Sequence, residues 1–199
     1  MELSGVREHA PVPIVDARKR AAVLAPVIDR GGDPHLLFTK RASHLGEHPG
    51  QMSFPGGGWE PSDSSLEETA LREAREEIAL DPSTAVLVGR LDDIRTTTGY
   101  AVRPFVGTIP DRRYVPDEGE VAEIAILSVE ALCDPANYDS ELRNYREYGP
   151  IRVHYFRVDG YTVWGATARM LVQLLELTTE WEPPADPDRV VDGDAEFPV

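Results

Sequence analysis

The chain falls in the α+β class because strand-like runs and helical segments interleave along its 199 residues, glycine and proline turns separate them, and no internal repeat is apparent. A chain of this length builds one core without disulfide or metal staples. That domain is expected over residues 1–181, with a tail over 182–199. Apolar, β-branched runs at 21–28 and 36–39 flank the cluster Asp29-Arg30-Gly31-Gly32-Asp33-Pro34, which predicts a hairpin. Residues 41–60, rich in Gly, His, Pro and Ser, predict a long functional loop ending in Phe54-Pro55-Gly56-Gly57-Gly58. Ser64 or Ser65 can cap a helix over about 65–79, with Glu67 and Glu68 in its first turn and Pro82 beyond its end. Strands are expected at 85–91, 101–109, 124–127, 151–158 and 161–163, the last two joined by Asp159-Gly160. Shorter and longer helices are expected at 129–132 and 166–177. The tail holds six acids, four prolines and one arginine, the composition of a loosely held segment.

Charge and composition exclude several classes of function. Twenty basic against thirty-five acidic residues give a net charge of −15, which disfavours a nucleic-acid partner. No apolar run approaches the roughly 20 residues needed to cross a bilayer. Residues 1–22 mix acids, bases and prolines without an apolar signal region, so a cytoplasmic location is expected. Cys133 is the single cysteine, which excludes an internal disulfide. Only Lys19 and Lys40 are lysines. An acidic surface poor in lysine suits high salt, and a GC-rich genome would favour arginine equally.

The helix over 65–79 carries Arg72-Glu73-Ala74-Arg75-Glu76-Glu77. At about 100° per residue, Glu76 and Glu77 fall some 60° and 40° to either side of Glu73, so three carboxylates share a narrow arc. Ala70, Leu71, Ala74 and Ile78 occupy the neighbouring arc that should face the core, whereas Glu68 and Arg75 lie on the far side. Acids at these spacings repel one another. A hard divalent cation such as Mg²⁺ or Mn²⁺ would relieve that repulsion, and so would solvation of a charged helix face. Gly56 and Gly57 lie just ahead of the helix, where their backbone can approach a ligand closely.

Arg72 to Leu80 resembles the Nudix box, with Ala79 where glycine is usual. Its upstream acid is displaced: strict spacing lands on Ser64, whereas Asp63 lies six residues after Gly57 and nine before Arg72. That shift is similar to the longer box of the coenzyme A pyrophosphatase branch. A second signature of that branch fits Thr39, Arg41, Ala42, Gly50, Phe54, Pro55, Gly56 and Gly57 in register, while Gly46 replaces its second arginine. His48, Gln51, Thr97-Thr98-Gly99-Tyr100, Pro104 and Trp164-Gly165-Ala166-Thr167-Ala168 also resemble family segments, and the likeness extends over about residues 21–180.

The resemblance implies a Nudix fold, a mixed sheet sandwiched between helices in an α/β/α arrangement. It also implies Mg²⁺- or Mn²⁺-dependent hydrolysis of coenzyme A or an acyl-CoA to 3′,5′-ADP and the 4′-phosphopantetheine. Glu73, Glu76 and Glu77 are the implied metal ligands, and Arg72 is expected to position Glu76 by an ion pair without touching substrate. Glu120 and Glu123, just ahead of the strand at 124–127, are candidates for a remote ligand or general base. Lys40, Arg41 and His48, with Gly56 and Gly57, are candidates to meet substrate phosphates. Tyr145, Tyr148, Tyr155 and Phe156 suit either core packing or a pocket wall, and Cys133 is expected to be a buried spectator. A small-molecule nucleotide is the expected partner, and a homodimer is left open. Other nucleotides (ADP-ribose, a dinucleotide cofactor, a nucleoside triphosphate) and a non-catalytic nucleotide sensor are the alternatives.

Overall fold

A computed structural model describes residues 1–42, 44, 50–96, 98–145 and 149–198. Gly46, His48, Thr97 and Tyr148 lie outside the described residues. The chain runs through α1 (Ser4–Glu8), β1 (Lys19–Arg30), β2 (Asp33–Arg41), β3 (Met52–Ser53), β4 (Gly56–Gly58) and α2 (Leu66–Ile78). It continues through β5 (Val86–Arg90), β6 (Ile94–Arg95), β7 (Tyr100–Thr108), β8 (Val121–Ser128), α3 (Val129–Cys133) and β9 (Tyr138–Tyr145). The last elements are β10 (Gly149–Val158), β11 (Tyr161–Trp164), α4 (Gly165–Thr178) and β12 (Arg189–Asp192).

The first sheet is mixed. Its main path is β3-β2-β1-β7-β5, with β4 also paired to β1, β6 to β7 and β8 to β2. Only β1 and β7 run parallel, from Lys19 opposite Tyr100 to Val27 opposite Thr108. The β1–β2 hairpin closes with Arg30 opposite Asp33, and its two turn residues, Gly31 and Gly32, both have positive φ (69° and 98°). Side chains with a Cβ resist that conformation, so the glycine pair fixes the turn.

Alternation along β1 sorts its side chains onto two faces. Ala22, Leu24 and Ile28 join Ala70, Ala74 and Ile78 of α2, whereas Val23, Ala25 and Val27 join the larger core with α1, α3 and α4. The mixed sheet therefore lies between helices, as expected for the Nudix fold. Among the described residues no helix is long and apolar enough to cross a membrane.

Beyond the single sheet expected, a second one follows the order β11-β10-β9-β12. β9 escapes a reading by alternation because its buried positions include Ser140, Glu141 and Arg143. Residues 182–199, expected as a loosely held tail, instead supply β12, which pairs in parallel with β9 from Arg189 opposite Glu141 to Asp192 opposite Asn144. Tyr155 and Phe156 are fully buried, in line with the core reading.

Candidate active site

α2 begins where Ser65, in extended conformation, accepts the Glu68 N–H on its hydroxyl (3.1 Å), while the Glu68 carboxylate accepts the Ser64 N–H (2.7 Å). The first bond satisfies a donor that the first helical turn leaves open, and the second ties the residue before the cap to that turn. Small Ala70 and Ala74 let the helix lie close on β1, and Leu71 is only half-buried. Glu68 and Arg75 are exposed, as the helical arc predicts. The helix stops at Ala79, whose left-handed φ of 52° turns Leu80 back into the core.

The glycine segment is wedged between β1 and α2. A Cβ on Gly56 would come within 2.4 Å of the Ala22 carbonyl oxygen, and one on Gly57 within 2.5 Å of Glu73 Oε1. Backbone stands in the way at Gly56, which therefore requires glycine, whereas a side chain at Gly57 would displace the Glu73 carboxylate. These approaches let the Gly56 N–H donate to Glu77 Oε2 (3.2 Å).

Arg72 gathers the acids. Its Nε and Nη2 donate to the two carboxylate oxygens of Asp63 (2.9 and 3.1 Å), and Nη2 also reaches the Gly58 carbonyl (3.0 Å). Nη1 donates to Glu76 (2.9 Å) and lies 3.0 Å from Glu73 Oε1. Asp63 is almost fully buried and also accepts from Thr69 Oγ1 (2.9 Å) and the Glu60 N–H (3.0 Å). The Arg72 guanidinium holds the Asp63 carboxyl well below the usual carboxylate range. The expected Arg72–Glu76 pair is therefore one arm of a larger clamp. The anchoring role of Asp63 was missed in sequence, where its nine-residue spacing from Arg72 was the available signal.

Glu77 is buried, and burial pushes its carboxyl up to about 8; the charges of Glu73 and Glu120 add to that, against the Gly56 N–H and Arg41. Burial likewise raises Glu73, with the Arg72 charge opposing. Glu120 is brought to this group because the Asp117 N–H binds the Glu77 carbonyl (3.0 Å) and the Val121 N–H binds the Asp117 carbonyl (2.8 Å), pinning its loop to the end of α2. Glu123 goes elsewhere. It lies within β8, not ahead of a strand, opposite Lys40, whose Nζ is 3.8 Å from its carboxylate, and the Tyr161 hydroxyl donates to it. The structure thus brings together Arg72, Glu73, Glu76, Glu77, Gly56 and Gly57 with the charges of Arg41 and Glu120, and it sets Lys40 and Glu123 in a neighbouring cluster.

Among the described residues, no three His, Cys, Asp or Glu side chains already form a group that could hold a metal ion. The chemistry of the donors nevertheless suits a hard divalent cation. Glu73 and Glu77 offer carboxylate oxygens whose charge is disfavoured by burial and by mutual repulsion, the condition a cation relieves. Cys133 is half-buried, and burial raises its thiol, consistent with a spectator.

Comparison with known proteins identifies the family. Residues 18–148 match the NUDIX domain, and the chain belongs to the Nudix family. Over 163 residues it is 40% identical to a protein named uncharacterized Nudix hydrolase NudL from Enterobacter sp. (strain 638), covering 79% of this chain and 81% of that one. A protein of the same name from Yersinia pestis (strain Pestoides F) is 38% identical over 159 residues, 79% of each chain. Among solved structures, the Nudix hydrolase RenU from M. smegmatis aligns at 21% identity and a TM-score of 0.49, over 59% of this chain and 74% of that one. An Ap4A hydrolase binary complex from C. elegans aligns at 16% identity and 0.49, over 66% and 90%.

Proposed function

We propose that this Nudix hydrolase cleaves the diphosphate of coenzyme A or an acyl-CoA, releasing 3′,5′-ADP and the 4′-phosphopantetheine. The observation that carries this reading is the union of two sequence signatures in one site. Gly56 and Gly57, the end of the segment similar to the coenzyme A pyrophosphatase branch, lie directly against Glu77 and Glu73 of the box helix.

Glu73, Glu76 and Glu77 would hold Mg²⁺ or Mn²⁺, which supplies neutralisation of diphosphate charge and a more acidic water. Arg72, anchored on Asp63, keeps Glu73 and Glu76 on the same side of α2. Gly56 and Gly57 admit the diphosphate close to backbone, and Arg41 brings positive charge beside Glu77. Of the two remote acids, Glu120 is assigned as the acceptor of the proton lost by the attacking water, since its charge reaches Glu73 and Glu77. Glu123 is committed to Tyr161 and Lys40. As water adds to one phosphorus, the bridging oxygen leaves with the other phosphate.

The deciding experiment is product analysis by mass spectrometry across coenzyme A, acetyl-CoA, ADP-ribose, NADH and a nucleoside triphosphate. Coenzyme A or its acyl form is expected to lead in kcat/KM by about tenfold or more, the scale of discrimination a site of specific polar contacts provides. Turnover should vanish in excess chelator. A lead for another nucleotide would replace the substrate, and no turnover of any would favour a sensing domain.

A further inference from the structure

A buried arginine lies under the C-terminal segment. Arg143 is fully buried, its Nε on Glu141 Oε1 at 2.5 Å, and the Tyr155 hydroxyl donates to the same oxygen at 2.5 Å. The two outer nitrogens of Arg143 donate to the backbone carbonyls of Ala195 (2.6 Å) and Glu196 (3.0 Å). Its guanidinium carbon sits 3.6 Å from the centre of the Phe197 ring, which in turn lies 4.6 Å from the Trp164 ring. One aromatic ring is thus held against an arginine and an indole, while two neutral acceptors occupy the arginine's free donors. The Phe197 ring is tilted 42° from the Trp164 plane; an arginine plane and an indole can also hold a nucleobase by stacking, and ring nitrogens can replace carbonyls as acceptors.

The segment above Arg143 is held by polar contacts and by its pairing with β9, with little apolar burial: Val190 is 63% exposed and Phe197 38%, and no residue of 189–198 belongs to the hydrophobic core. Segments with so few buried apolar contacts open locally at low cost. This cluster also adjoins the segment that leads to the glycines: Trp164 precedes Gly165, a Cβ on which would lie 3.4 Å from the Gln51 side chain, and the Gln51 carbonyl accepts the Arg41 N–H (3.0 Å).

We propose that Arg143 and Trp164 form a binding site for the base of a purine nucleotide, and that Phe197 with the carbonyls of residues 195 and 196 is a strap that occupies it until displaced. Purine is the expected ring because of the nucleotide reading above, on which this assignment rests.

The test is calorimetric titration of the full-length chain with AMP in excess chelator, where no turnover is needed. Phe197→Ala removes the internal competitor and should bind AMP about tenfold more tightly than the parent, the effect of freeing an occluded site. Adding Trp164→Leu should cancel that gain, and inorganic phosphate should not distinguish the variants. In the parent, amide exchange over residues 189–198 should be faster than in β10 and should accelerate with AMP. Unchanged or weaker AMP binding by Phe197→Ala overturns the proposal. If that variant fails to fold, exchange in the parent decides, and strap amides as protected as those of β10, or unmoved by AMP, overturn it. Loss of coenzyme A hydrolysis with AMP binding intact would strike only the substrate reading.

Discussion

Ala79 is exposed and left-handed at the end of α2, so its methyl meets a steric cost without gaining core contacts. Ala79→Gly is expected to raise unfolding free energy by about 1 kcal/mol, the usual penalty for an L-residue there reduced by glycine's freedom in the unfolded chain. Urea denaturation measures it, with kcat unaltered; a destabilised variant would mean that the cap is not strained. Asp63 acts through Arg72. Asp63→Asn keeps the shape but removes the charge, and should lower kcat by roughly tenfold to a hundredfold while KM changes little. A change confined to KM would place Asp63 among the substrate contacts instead. Glu77 yields a pH dependence opposite to that of a salt-bridged acid. Its folded value of about 8 lies above the unfolded value, so the fold binds more protons. The stability this gives is full below an unfolded pKa of about 4.3 and is lost as pH rises through 8. In chelator, Glu77→Gln should therefore be more stable than the parent at about pH 9, by on the order of 2 kcal/mol, with the advantage gone near pH 4. Thermal melts across that range measure it, and a variant weaker at pH 9 would contradict a buried charge whose desolvation outweighs its partners.

At the level of elements, what can be read from sequence depends on whether the forces are local. α2 is legible because its cap, its apolar arc and its stop lie within fifteen residues, and the β1–β2 hairpin because Gly31 and Gly32 permit a tight turn. β9 and β12 are illegible because buried Glu141 and Arg143 are satisfied by Tyr155, Arg189 and residues 195–196, partners that no local pattern announces. β3 and β4 are too short to show a period, so 41–60 reads as loop. The same division runs through the site. Glu73, Glu76 and Glu77 follow from helical spacing, but the choice between Glu120 and Glu123 depends on the Asp117–Glu77 backbone bond and on Tyr161, which arrives from the second sheet.

For the molecule as a whole, the net charge of −15 remains a source of self-repulsion even though Arg72, Arg103 and Arg143 are tied into ion pairs. If the composition reflects high-salt adaptation, raising KCl from about 0.2 to 2 M should increase the melting temperature as screening tightens. A flat or falling response would leave genome composition to explain the scarcity of lysine. The parallel pairing of β1 with β7 bears on synthesis. β1 lies at the centre of the mixed sheet, yet its parallel neighbour comes about eighty residues later. A nascent chain that has released only the hairpin and α2 therefore carries an apolar strand with one long side unpaired, a template for wrong partners. Aggregation risk in this protein is thus concentrated in the seconds of its making, before Tyr100–Thr108 emerges to close the sheet.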